Sequence, residues 1–218
     1  MIPLNSESNR RNFIKSTGAI TAGFTAFACT AYSSEKPFTR EAPWAVVGPR
    51  EGFSPHVGTM FSMLSMMRHM ILQPVKDLTV EQLDFLVDEN ANSIGAMLLH
   101  LAATETYYQL NTFENMQWGN WSDEVKKKWD IPMKLGADGR SHIKGNPLDY
   151  YINALEETRQ KTIEGFKRRD DAWLMKIDPD WGWNNYGKWF HVAEHESNHN
   201  GQIKWIKGRL PGAKPGND

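Results

Sequence analysis

Apolar residues recur every three or four positions over four long stretches of the chain, which is the period of an amphipathic helix. The first stretch begins at Ser54-Pro55, a capping residue followed by proline at the first helical position, and Pro74 stops it. The other three begin at residues that cap or initiate helices: Asn92-Ser93, Asn146-Pro147 and Asn184-Asn185. The sequence shows no alternating strand pattern of useful length. It therefore predicts an all-α fold, a four-helix bundle.

The connections between these stretches differ in length. Residues 115–145 are polar, contain tryptophan and are punctuated by glycine, so we expect a long crossing loop with one turn of helix around 123–129. Thr79 and Gln82 form a capping-box pair that predicts a short helix before the second long one. Gly201 lies inside the last predicted helix, where glycine costs about 1 kcal/mol relative to alanine. This cost predicts a compensating feature at Gly201, such as the close approach of a neighbouring helix.

The N-terminus carries the pattern of an export signal. Residues 10–15, Arg-Arg-Asn-Phe-Ile-Lys, match the twin-arginine pattern, and a weakly apolar stretch over 17–31 follows. This stretch is too short and too mild to span a bilayer stably. The sequence therefore predicts a signal peptide over 1–32, a linker over 33–53, a helical domain over 54–212 and a tail over 213–218. The expected location is the periplasm or another extracytoplasmic space.

The end of the leader allows two outcomes. Ala26-Phe27-Ala28 is a small-residue cleavage site, and Cys29 directly after it is placed where bacterial lipoproteins carry their lipid. Ala26 stands where leucine is usual, so cleavage and a lipid anchor at Cys29 both remain open. The twin-arginine route carries folded cargo, which implies that a metalloprotein using it is loaded with its metal before export.

Charge and cysteine content narrow the chemistry. The formal net charge is -1, from 25 basic and 26 acidic residues, and no basic block lies outside the leader, so nucleic acid is not an expected partner. Cys29 is the only cysteine, which excludes an intrachain disulfide and a thiolate cluster. A metal site in this chain must be built from His, Asp and Glu.

Three histidines on the last predicted helix, His191, His195 and His199, stand four residues apart. Adjacent members are separated by about 40° around the helix and about 6 Å along it, so two neighbours can bind one ion. His191 and His199 are about 12 Å apart, too far for one ion, so one pair binds and the third histidine supports or packs. His100, in the middle of the second long helix among small neighbours, is the best third donor.

Residues 195–199 also match H-E-x-x-H, the zinc protease signature in which the glutamate is the general base. In the common types of such enzymes the third ligand lies downstream of the second histidine. The chain continues for only 19 residues after His199, and these contain no histidine and no glutamate. The third ligand must come from upstream, which argues against this class of protease.

Three segments together resemble the DinB-like superfamily of metal-binding four-helix proteins: 75–83, 92–100 and 195–203. The resemblance covers about Ser54 to Gly212 and departs at Asn200, where relatives often have arginine. It assigns the metal to His100, His195 and His199 and leaves His191 outside the ligand set. Gln202 and His191 are then expected to support the ligands or contact a substrate.

The resemblance implies a divalent metal ion, zinc, nickel or iron, and an unidentified small-molecule substrate. Three neutral imidazoles leave an open position, as in catalytic sites. The first hypothesis is a metal-dependent hydrolase in which Glu196 or Glu105 takes the proton. The alternatives are a thiol-dependent transferase of the same superfamily and a non-catalytic metal- or ligand-binding protein of the cell envelope. Export disfavours thiol transfer, because low-molecular-weight thiols are chiefly cytosolic. A homodimer is compatible with such a bundle.

Overall fold

The computed structural model of the protein describes residues 44–213, and this part of the chain contains eight helices and no named strand. Four of the helices are long. The bounds are α1 Pro55–Val75, α2 Val80–Asp84, α3 Ile94–Phe113, α4 Asp123–Lys134, α5 Gly136–His142, α6 Leu148–Lys167, α7 Asp171–Met175 and α8 Asn185–Lys207. The all-α prediction is confirmed. The predicted leader over 1–32 and most of the tail lie outside the described residues, as does the linker before residue 44.

The helices begin where their capping residues predict. Thr79 and Gln82 form the reciprocal capping box of α2, and Ser93 and Asn184 accept hydrogen bonds from the first turns of α3 and α8. Ser54 behaves differently, because its hydroxyl donates to Asp171 Oδ1 at 2.6 Å instead of capping α1 itself. Asp171 also accepts the backbone N–H groups of His56 and Val57, so a carboxylate from α7 caps α1.

The four long helices pack as α1 with α8, α3 with α6, and α3 with α8. The apolar residues that recur along α1 face inward, since Met60, Leu64 and Ile71 are fully buried. Pro74 lies in the last turn of α1, which ends one residue later. Because α3 packs against both α6 and α8, almost every residue of α3 is buried, including polar ones. The middle of α3 and α8 is therefore the natural position for a buried polar site.

The crossing segment is more ordered than predicted. In place of a long loop with one helical turn, residues 115–145 contain the twelve-residue helix α4 and the short helix α5. Ser122 caps α4, Asp123 and Glu124 occupy its first turn, and Trp129 is buried as α4 packs against α3. Val125, Trp129 and Met133 recur at helical spacing in α4, so its period is visible in the sequence, but the polar, glycine-punctuated surroundings favoured a loop.

Part of the predicted linker packs against α1. The Gly48 backbone N–H donates to Ser62 Oγ at 3.0 Å, and the Trp44 indole stacks on His69 with ring centroids 3.9 Å apart. None of the helices in residues 44–213 combines the length and the hydropathy that crossing a bilayer requires.

The prediction of a close helix approach at Gly201 is wrong. A Cβ atom added at Gly201 would meet no atom within 4 Å. Close approach occurs instead at Gly165 of α6, where a Cβ would lie 2.3 Å from the Phe113 ring. The spacing of apolar residues alone did not distinguish these two glycines.

Candidate metal centre

His100 from α3 and His195 and His199 from α8 converge on one point. The Nε2 atoms of His100 and His195 are 2.8 Å apart, and those of His195 and His199 are 3.2 Å apart. One ligand atom from each of the three residues lies within 4.8 Å of the others, and within residues 44–213 this is the one group of three or more His, Cys, Asp or Glu residues so placed. His100 and His199 are buried, whereas His195 is partly exposed.

This geometry fits a divalent ion. Ligand nitrogens at about 2.0–2.1 Å from an ion in tetrahedral geometry lie roughly 3.3 Å from one another. The observed separations of 2.8 and 3.2 Å are close to that value. Three imidazoles would fill three positions on such an ion and leave the fourth for water or a substrate. The three histidines are thus positioned to bind a metal ion, as the sequence predicted.

The orientation of the His100 ring follows from α4. His100 Nδ1 lies 3.0 Å from the carbonyl oxygen of Pro132, one of the last carbonyls of α4, which a helix leaves without an internal partner. The ring must donate its Nδ1 proton to this carbonyl, so the lone pair is on Nε2, which faces His195. A backbone carbonyl in the crossing segment therefore selects the tautomer that binds metal.

All three imidazoles favour the neutral form. Burial, reinforced by His199, His100 and His191, lowers the pKa of His195 to about 3. Burial and His100 lower the pKa of His199 to about 4, and burial also lowers the pKa of His100. The site thus presents three unprotonated ligands at neutral pH, which is the state that metal binding requires.

The two supporting residues predicted from the sequence both lie near the ligands. Gln202 interacts with the His199 ring in the direction that raises the pKa of His199. His191 is partly exposed, its ring centroid lies 5.5 Å from that of His195, and its Nδ1 is 3.3 Å from Glu194 Oε2. His191 is therefore beside the ligand set and outside it.

Glu196 does not face an open site. Its Oε1 accepts hydrogen bonds from Arg68 at 2.7 Å and Arg159 at 2.9 Å, and the Glu196 side chain is 2% exposed. The same arginines hold Glu105, at 2.8 Å from Arg68 and 2.7 Å from Arg159. Both oxygens of Glu105 are bound in this way, whereas Glu196 Oε2 is buried and has no hydrogen-bond partner among the described residues. The general-base role of Glu196 stays a prediction that its burial disfavours, and the ion pairs of Glu105 disfavour that role for Glu105 more strongly.

The pairing of Glu105 has a clear electrostatic effect. Burial alone would raise the pKa of Glu105, but Arg159 and Arg68, with a hydrogen bond from Thr162, lower it to about 2. Sequence reasoning missed this four-residue cluster. Its signal was present, since Arg68 falls on the apolar face of α1 and Glu105 on a face of α3 that is otherwise apolar.

The tryptophans divide into two groups. Trp189 is fully buried in an aromatic cluster with Phe113 and Phe166, so it belongs to the core. Trp181 and Trp183 are partly exposed, and the Trp183 ring lies 6.0 Å from that of His191. A cavity of about 360 Å³ beside Trp181 has mainly polar walls, formed by residues that include Asn111, Asp178 and Lys188.

Lys188 is the unusual member of these walls, because its side chain is 2% exposed. Its ammonium group donates to Asn111 and Asp178 and lies 5.4 Å from the centre of the Trp181 ring. Lys188 stands seven residues before His195, two helical turns away on the same side of α8. The cavity therefore lies along α8 from the histidine cluster.

Comparison with known proteins agrees with this description. Residues 59–212 match the family model described as Mycothiol-S-transferase, so the chain belongs to this family, which is part of the DinB-like superfamily. Among solved structures, the chain is similar to the conserved protein of a locus from Enterococcus faecalis, with a TM-score of 0.52 and 11% identity over 68% of this chain and 93% of that one. At this identity the likeness shows the fold alone. No curated protein matches the chain.

Proposed function

We propose that the protein is a metal-dependent transferase that joins a low-molecular-weight thiol to an electrophilic carbon. The observation that carries this proposal is the convergence of three neutral imidazole nitrogens, from α3 and α8, in a member of a family named for thiol transfer. His100, His195 and His199 would hold a divalent ion, zinc, nickel or iron. An ion bound by three uncharged ligands keeps its full charge and lowers the pKa of a thiol at its open position.

The reaction needs no oxidant or reductant. The thiol R–SH loses its proton, its sulfur attacks a carbon of R′–X, the S–C bond forms, and the C–X bond breaks as X leaves with the bonding pair. The products are R–S–R′ and HX. The protein must hold both substrates beside the histidines and accept the thiol proton.

His191 is the side chain best placed to accept that proton. It is partly exposed, adjoins His195 and is oriented by Glu194, whereas Glu196 and Glu105 are bound to arginines. His191→Gln is expected to lower kcat by about 100-fold while the metal content stays unchanged. Glu196→Gln is the matched comparison, and we expect it to reduce stability with little change in kcat of the folded enzyme. If Glu196→Gln lowers kcat more than His191→Gln does, Glu196 and not His191 is the general base.

A conjugation assay tests the proposal directly. Metal-loaded protein is incubated with 1-chloro-2,4-dinitrobenzene and either cysteine or glutathione, and thioether formation is followed by absorbance. We expect metal-dependent conjugation that His199→Ala abolishes. Absence of thioether with every thiol tried, together with hydrolysis of ester or amide substrates, would contradict the proposal.

The second candidate is a metal-dependent hydrolase, in which water takes the place of the thiol. The twin-arginine pattern at 10–15 favours it, because an exported enzyme meets little cytosolic thiol. Stoichiometric metal without thiol conjugation or hydrolysis would favour the third hypothesis, a non-catalytic envelope protein that binds metal or a small ligand.

Export itself is a proposal that the leader supports. Replacing both arginines of the pattern, with Arg10→Lys and Arg11→Lys, is expected to retain the full-length precursor in the cytoplasm. Cys29→Ser distinguishes the two ways in which the leader can be processed. Loss of the protein from the membrane fraction supports a lipid anchor, and unchanged soluble export supports simple cleavage. The homodimer remains a prediction from the bundle class.

A further inference from the structure

A groove on the surface of α8 lies at Gly201, where no neighbouring atom fills the space beside the glycine. Gly201 is exposed, and the space where its side chain would stand is open. The opening is a cavity of about 460 Å³, a size typical of sites for small organic ligands. Its apolar walls include Met97, Trp205 and Ile206, and Asn198 and Gln202 supply polar groups. We call this cavity the Gly201 groove.

The groove is adjacent to two of the three metal ligands. Met97 stands one turn before His100 on α3, so both helices that carry ligands also form the groove. Gln202 lines the groove and stands three residues after His199 on α8, so the two residues are neighbours on one face of the helix. Along α8 the groove extends from Asn198, next to His199, to Ile206, which is seven residues or roughly 10 Å beyond His199. The groove therefore begins beside the metal ligands and continues away from them.

One wall of the groove is held in place. Trp205 is 49% exposed, yet the Arg209 guanidinium stacks over its indole at 3.7 Å from the ring centre. Arg209 also donates to the Trp205 backbone carbonyl at 3.0 Å, which anchors the arginine across one turn. The indole thus has a fixed orientation, and a flat aromatic ligand can stack only on the ring face that the guanidinium does not cover.

We propose that the Gly201 groove binds the apolar aromatic body of the electrophilic acceptor, and that Gly201 determines acceptor specificity by keeping the groove open. This inference rests on the proposed transferase function. A transferase needs two organic sites, and the two cavities along α8 differ in the required way. The cavity at Lys188 is polar, as a thiol bearing charged groups requires, whereas the Gly201 groove offers methionine, isoleucine and indole surface.

The test measures probe binding as well as catalysis, because probe binding does not depend on transferase activity. Metal-loaded wild type, Gly201→Leu and the control Lys161→Leu, an exposed position on α6, are titrated with N-phenyl-1-naphthylamine, a neutral aromatic probe, by fluorescence. We expect Gly201→Leu to raise the Kd of the probe by about tenfold or more. The metal content of Gly201→Leu should match wild type, and Lys161→Leu should bind the probe normally.

Catalysis adds a second readout. Gly201→Leu is expected to raise the KM for 1-chloro-2,4-dinitrobenzene by about tenfold and to leave the KM for the thiol unchanged. If the protein conjugates no thiol, the proposed function fails while the loss of probe binding still supports the groove. Equal probe binding by wild type and Gly201→Leu would overturn the inference. If, in addition, the substitution converted a dimer to a monomer, the groove would be a contact between two copies of the chain and not an acceptor site.

Discussion

The imidazole Nδ1 of His100 hydrogen-bonds the carbonyl of Pro132 at 3.0 Å, which links a metal ligand on α3 to the last turn of α4. The crossing segment thus does more than connect two long helices. It orients the ligand that α8 cannot supply, as outer-shell partners of metal ligands generally do.

Loosening α4 should weaken metal binding without removing a ligand. Trp129 is 6% exposed and holds α4 in the core. Trp129→Ala is expected to raise the metal Kd by about 10- to 100-fold, because His100 loses its fixed tautomer and orientation. Competition with a chromogenic chelator measures the Kd. Trp44→Ala, which removes an exposed indole stacked on His69, is the control. Equal affinity in both variants would refute the role of α4.

The buried arginine–glutamate cluster should be a stability determinant. Arg159→Met leaves Glu105 and Glu196 buried with only Arg68 to balance them, and losing one partner of a buried ion pair costs about 3–5 kcal/mol. Chemical denaturation gives the free energy of unfolding. Arg168→Met, at an exposed position at the end of α6, should change this free energy by less than about 0.5 kcal/mol. Similar small effects of both substitutions would mean that the cluster is weakly coupled to folding.

The metal-free protein should lose stability in mild acid. The folded-state pKa values of His195, about 3, and His199, about 4, lie below the ordinary value of 6.5. Between pH 6.5 and these values the unfolded chain binds protons that the folded chain does not, so stability falls as pH decreases through this window and levels off above it. Thermal midpoints across this range give the slope. The double variant His195→Asn with His199→Asn should show a shallower slope, and an identical slope would contradict the assignment.

Two glycines should respond to alanine with opposite signs. Gly165→Ala forces a Cβ against the Phe113 ring in a packed aromatic cluster and should destabilise the protein by about 1–3 kcal/mol. Gly201→Ala meets open space and should stabilise α8 by up to about 1 kcal/mol. Denaturation midpoints of the two variants provide the comparison. A loss of stability in Gly201→Ala would show that other atoms fill the space beside Gly201 in solution.

The sequence predicted those features that depend on local periodicity. The four long helices follow from their apolar spacing and caps, and the pair His195 and His199 follows from a four-residue interval on one helix. His100 could be predicted as a ligand because small residues surround it on α3. These properties belong to single helices, so they do not depend on how the helices pack.

Features that depend on packing between distant segments were not predictable in the same way. Glu196 fits a protease signature in one dimension, yet its partners Arg68 and Arg159 lie 128 and 37 residues away in sequence. The packing of α4 on α3 also joins segments that are separate in the sequence, so the sequence of α4 alone did not show it. The difference between Gly165 and Gly201 likewise exists only once their surroundings are assembled.

The central claim is that His100, His195 and His199 bind one divalent ion. Elemental analysis of protein purified without a histidine tag tests it most directly, with wild type compared to His199→Ala and to His142→Ala, an exposed histidine outside the cluster. We expect about one ion per chain in wild type and His142→Ala and loss of most of it in His199→Ala. Equal metal content in wild type and His199→Ala would contradict the account.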